Sequence, residues 1–73
     1  MPELEPGSMV VLTSLPPGLL TDLPDQDQRA IQSIVGQPVL LAGYSYGEAE
    51  LEFVDSDGDN HSIWVKPELL RAA

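Results

Sequence analysis

His61 is the only histidine in the chain, and Asp59 stands two residues before it. An imidazole beside a carboxylate is the smallest unit that can move protons or help hold a metal. A zinc site needs further nitrogen or sulfur ligands, and the chain has no cysteine. A serine nucleophile needs a base oriented by a third group and donors for an oxyanion. A chain of 73 residues leaves little room for that assembly. The simpler reading is a strand-end histidine near the surface. The chain is expected to be no enzyme and to carry no cofactor.

Asp55, Asp57 and Asp59 invite a calcium reading. The helix-flanked calcium loop requires glycine at its sixth position and an acid at its twelfth. Here Gly58 is fourth, Asn60 is sixth and Lys66 is twelfth. The simpler reading is a polar hairpin turn whose carboxylates keep the tip in water. Asp55, Asp57 and Asp59 remain weak candidates for a divalent ion. Gly43 and Gly47 lack the lysine and the helix that a phosphate loop needs.

Trp64, Tyr44 and Tyr46 are three of the four aromatic side chains, and none falls clearly on an inward position. Glu48, Glu50 and Glu52 recur at every second residue nearby. An outward indole ringed by glutamates suits an arginine- or lysine-bearing segment, through cation–π contact and charge. The competing reading has Trp64 shielding the sheet and the tyrosines packing a loop.

These side chains must be placed by backbone elements. Glu48 to Val54 alternates charged and apolar residues, the pattern of a half-buried strand with Ala49, Leu51 and Phe53 inward. Residues 55–60 read as a turn, and His61 to Val65 as the next strand, with Ile63 and Val65 inward. Two registers satisfy that inward set. Either Glu52 faces Trp64 and Glu50 faces Lys66, or Glu50 faces Trp64 and Glu48 faces Lys66.

Upstream, Ser8 to Thr13 reads as the first strand, with Val10 and Leu12 inward and Met9 and Val11 outward or covering an edge. Pro16, Pro17 and Gly18 break regular structure, and Leu19, Leu20 and Leu23 fold back over the core. A helix follows at about 26–35, with Asp25 and Gln28 forming a capping box and Ala30, Ile31, Ile34 and Val35 on one face. Gly36 and Pro38 end it. Val39 to Gly43 is the second strand, 44–47 a short reversal, Pro67 opens one 3₁₀ turn, and residues 69–72 add a last short strand. Residues 1–7 read as a flexible lead-in to a single domain over 8–73.

The order of elements resembles a small Src-homology-3-like barrel. The resemblance rests on residues 7–12, Ile34-Val35-Gly36, residues 47–53 and residues 61–70. It is also similar to short bacterial proteins built on this barrel. The fold it implies is mainly β: a five-stranded Src-homology-3-like barrel with the helix inserted between strands one and two. The chain lacks the Ala-Leu-Tyr-Asp-Tyr type of start and the paired tryptophans of the branch that binds proline motifs.

Composition narrows the partners. Twelve acids against three bases give a net charge of −9. That argues against binding nucleic acid or anionic lipid, both of which need basic surface. No apolar run is longer than that of Val39 to Ala42, far short of the ~20 residues that span a bilayer, and no secretory signal is evident. A cytoplasmic protein is expected, a monomer or weak homodimer. Its leading function is a non-catalytic interaction module that takes a basic protein segment on Trp64, Tyr44, Tyr46, Glu48, Glu50 and Glu52. One alternative is an acidic mimic of nucleic acid that inhibits a basic protein. A second is weak binding of a divalent metal through the 55–60 turn.

Overall fold

Seven residues, Glu48–Val54, alternate so strictly that they bury one face and wet the other, and the rest of the fold is laid against them. The computed structural model describes residues 4–16 and 18–73. Residues 1–3 of the expected lead-in and Pro17 of the expected loop break lie outside the described residues. In order the elements are β1 (Met9–Leu12), α1 (Asp25–Ile34), β2 (Pro38–Ser45), β3 (Glu48–Val54), β4 (Asn60–Val65), a 3₁₀ turn (Pro67–Leu69) and β5 (Leu70–Ala72).

All neighbouring strands are antiparallel, and the sheet order is β4-β3-β2-β1-β5. Five antiparallel strands and one helix match the expectation. The closed Src-homology-3-like barrel does not. β4 and β5 are opposite edges of an open sheet and do not pair with each other. The resemblance to barrel proteins, bacterial or otherwise, is corrected with it. A barrel closes only where strands tilt and stagger until the two edges bond. β1 has 4 residues and β5 only 3, too little to carry the wall around. The apolar face is covered in another way. Ala30, Ile31 and Ile34 of α1 join Val10, Leu12, Val39, Leu41, Ala49, Leu51, Phe53, Ile63 and Val65 in one cluster. Leu15, Leu19, Leu20 and Leu23 pack against it from the long loop. Fully burying a side chain of the size of Leu51 contributes about 1.5–3 kcal/mol, so this layer holds α1 in place of a closing seam.

Three local expectations also change. Val11 is buried at 4 % exposure, while Met9 is exposed. β1 lies inside the sheet, and Pro38 and Arg71 flank Val11 on the same face. The helix starts one residue earlier than expected, with Pro24 at the N-cap and no capping side chain. Instead the Gln28 side-chain amide donates to the Leu23 carbonyl at 2.9 Å. At the other end Val35 is already extended, and Gly36 takes the left-handed turn (φ 83°) that releases the chain into β2. Among the described residues no helix is long and apolar enough to cross a membrane.

Candidate functional site

The β3–β4 hairpin carries most of the residues that the sequence marked. Its register places Glu50 opposite Trp64 and Glu52 opposite Ser62. Of the two registers the sequence allowed, this is the second. Residues directly opposite share a face, so Glu48, Glu50, Glu52 and Trp64 come together on the outward side. The Ser62 hydroxyl donates to Glu50 Oε2 at 2.6 Å, which fixes that carboxylate beside the indole. Trp64 keeps 42 % of its surface open.

Row by row, this face has a definite relief. Gly43 continues the Glu50–Trp64 row onto β2. It contributes no side chain, and a Cβ placed there meets nothing within 4 Å. The next row runs Met9, Leu40, Glu52, Ser62 across four strands. A shallow cavity of 520 Å³ opens there, lined in part by Leu40, Glu52, Val54 and Ser62. At the far end of β4 a groove of 340 Å³ separates Trp64 and Glu48 from Pro16, Gly18 and Leu19 of the long loop.

The tyrosines are not with this set. A register shift between Leu41 and Gly43 puts an extra residue into β2 and turns Tyr44 to the inward face, opposite Ala49. Its hydroxyl donates to the Leu4 carbonyl at 2.7 Å, tying the segment before β1 to the sheet. Gly7 adds a second tie through its amide, 2.7 Å from the Leu41 carbonyl. Tyr46 sits at the tip of the β2–β3 turn, fully exposed. Ser45 pairs with Glu48, so the loop is Tyr46-Gly47, with φ of 51° and 79°. Two left-handed residues make the tight turn whose twist fits a hairpin, but tyrosine is not a residue that favours it.

The 55–59 turn is built around one carboxylate. Asp55 Oδ1 accepts from the amides of Asp57 (2.8 Å) and Asp59 (3.0 Å). Asp55 Oδ2 lies 2.7 Å from Nε2 of His61. The Asp55 amide donates to the Asp59 carbonyl, the Gly58 amide returns to the Asp55 carbonyl, and Gly58 has φ 86°. This is a three-residue hairpin loop closed by a glycine bulge. The hydrogen bond to His61 is the largest cause holding the Asp55 carboxyl below its ordinary pKa, followed by the Asp59 amide. Burial opposes them, and the Asp57 amide and the charge of His61 assist. An ionised Asp55 only accepts, so this contact is a hydrogen bond in the His61 tautomer that carries its proton on Nε2.

His61 is half-buried and stacks on Phe53, ring centroids 5.2 Å apart and planes at 14°. Its Nδ1 faces Asp27 Oδ1 of α1 at 3.9 Å. The carboxylate that sequence proximity suggested for His61 is not the one it meets: Asp59 accepts from Gln26 of α1 at 3.3 Å, and Asp55 takes the histidine. Only the register accounts for this. Phe53 and Asp55 share the inward side of the hairpin, and His61 lies opposite Phe53, diagonal to Asp55. The hydroxyls of Ser33 and Ser62 bond to the Ala30 carbonyl and to Glu50, away from the imidazole. A cavity of 540 Å³ lies between α1 and this turn, with Arg29 and Ser33 on one side and Asp55 and Asp57 on the other. Among the described residues no three histidine or acidic side chains converge as a metal site, and Asp55 spends both oxygens on its own hairpin.

The chain matches no family model, no curated protein and no solved structure.

Proposed function

We propose that this chain is a non-catalytic interaction module that takes a lysine- or arginine-bearing protein segment on the outward face of β3 and β4. The observation that carries the reading is the row of Gly43, Glu50 and Trp64: an open space, a fixed carboxylate and a half-open indole side by side. A guanidinium laid over the indole gains about 0.5–1 kcal/mol at an exposed site, and the neighbouring glutamates add charge. A net charge of −9 favours approach by a basic partner over an acidic one.

Trp64 is the only tryptophan, so its emission reports directly on this face. An arginine-rich peptide titrated at low salt is expected to shift that emission and to release as salt is raised. With a labelled peptide, Trp64→Ala and Glu50→Gln are each expected to weaken binding by about three- to tenfold. Binding indifferent to salt and to both substitutions removes the reading. Equal losses from neutralising Asp25, Asp57 or Glu68, which lie outside the row, point instead to a mimic of nucleic acid acting through total charge.

A further inference from the structure

The open sheet leaves β4 bare along one side. Hydrogen-bonded pairs alternate along an antiparallel ladder. Asp55 and Asp59 form such a pair, since the Asp55 amide bonds the Asp59 carbonyl. Counting outward, Phe53 with His61, Leu51 with Ile63 and Ala49 with Val65 are bonded pairs. Asn60, Ser62 and Trp64 therefore turn their amides and carbonyls away from β3. Among the described residues no backbone group bonds to them. Three donor–acceptor sets face outward on an edge six residues long.

We propose that the basic segment binds as an added strand, antiparallel along β4, with arginine or lysine at every second residue. The proposal rests on the reading of the acidic face above and specifies how that face is used. Partner residues opposite Ser62 and Trp64 are the ones whose own amides and carbonyls meet the edge. Their side chains fall on the outward face, about 6.8 Å apart along the strand. The one opposite Ser62 reaches over a small side chain to Glu50 and Glu52 on β3. The one opposite Trp64 lies against the indole. At that end the strand enters the groove between β4 and the loop at Pro16, Gly18 and Leu19. Partner residues in between face inward beside Ile63, where charge is excluded and small or β-branched residues fit. Charge selects the occupant. A second copy would bring another −9 against the same edge, whereas a basic strand neutralises it.

The test uses the full chain and a nine-residue peptide of alternating arginine and threonine, followed by amide hydrogen exchange. The expected result is slowed exchange at Asn60, Ser62 and Trp64 on binding, with Glu50 and Glu52 unchanged. Methylating the arginine backbone nitrogens of the peptide is expected to weaken binding about tenfold or more and to abolish that protection. A shift in Trp64 emission without protection of the three amides overturns strand addition and leaves the face reading standing. Neither shift nor protection overturns both. Protection already present without peptide, and lost on dilution, assigns the edge to a second copy and overturns the basic partner.

Discussion

The turn entering β3 is held by its backbone alone, and the turn leaving it is held by side chains. Tyr46-Gly47 reverses the chain with two left-handed residues, and among the described residues no side chain bonds to it. The 55–59 turn uses one left-handed glycine and an aspartate that accepts two amides and a histidine. The same reversal is thus bought once with conformational strain at an exposed tyrosine and once with an internal acceptor. The difference shows which end of the hairpin serves stability. The Asp55 end also touches α1, through Gln26 and Asp27, while Tyr46 at the other end is fully exposed.

The sharpest way to break this contrast is Asp55→Ala. It strips the acceptor from the Asp57 and Asp59 amides and from His61 together, and an unsatisfied donor costs more than a lost bond. The urea midpoint is expected to fall further than for any single substitution in 45–48. A smaller fall than that seen at Gly58 returns the turn to backbone control. Acid gives the second test. The pKa of Asp55 is lower folded than unfolded, so the unfolded chain takes up the proton first. Its contribution is complete above the ordinary carboxylate range and disappears as pH falls through the lowered folded value. Asp55→Asn is expected to flatten that acid limb, and an unchanged limb assigns it to other carboxylates. Third, Gly58→Ala is expected to cost about 1–2 kcal/mol in denaturant unfolding, because an L-residue is forced left-handed where the added Cβ itself meets nothing. The smallest effect has the opposite sign. Tyr46→Asn, which suits the left-handed turn, is expected to gain about 0.5–1 kcal/mol. No gain in the unfolding curve means the tyrosine is not strained.

Alternation was the most readable feature of the sequence. It located β3 to the residue and identified Val10, Leu12, Leu51, Phe53, Ile63 and Val65 as core. It left two registers, which only the turn geometry separates. The order of elements did not reveal closure, because an open sheet and a barrel share strand patterns and differ in whether the edges meet. Val11 does lie on the outward side, but its burial was not legible for a related reason: burial there depends on flanking strands rather than on the strand's own pattern. Tyr44 was hidden by the irregularity between Leu41 and Gly43, which shifts the alternation by one. The capping box failed because Pro24 begins the helix and Gln28 turns to Leu23. Of the candidate site, the glutamates and Trp64 were legible through period two. The Asp55–His61 contact was not, since it is a diagonal across a turn of undetermined length.

An unclosed sheet has two unlike ends, β4 on one flank and β5 on the other. Joining one molecule's β4 to the next molecule's β5 is a head-to-tail contact, and wherever its rotation does not close a ring nothing limits its length. A filament of stacked ribbons is the natural failure of such a shape. Nine uncompensated negative charges on 73 residues set every molecule against its neighbours. The same acidity that favours the proposed basic guest opposes that head-to-tail growth.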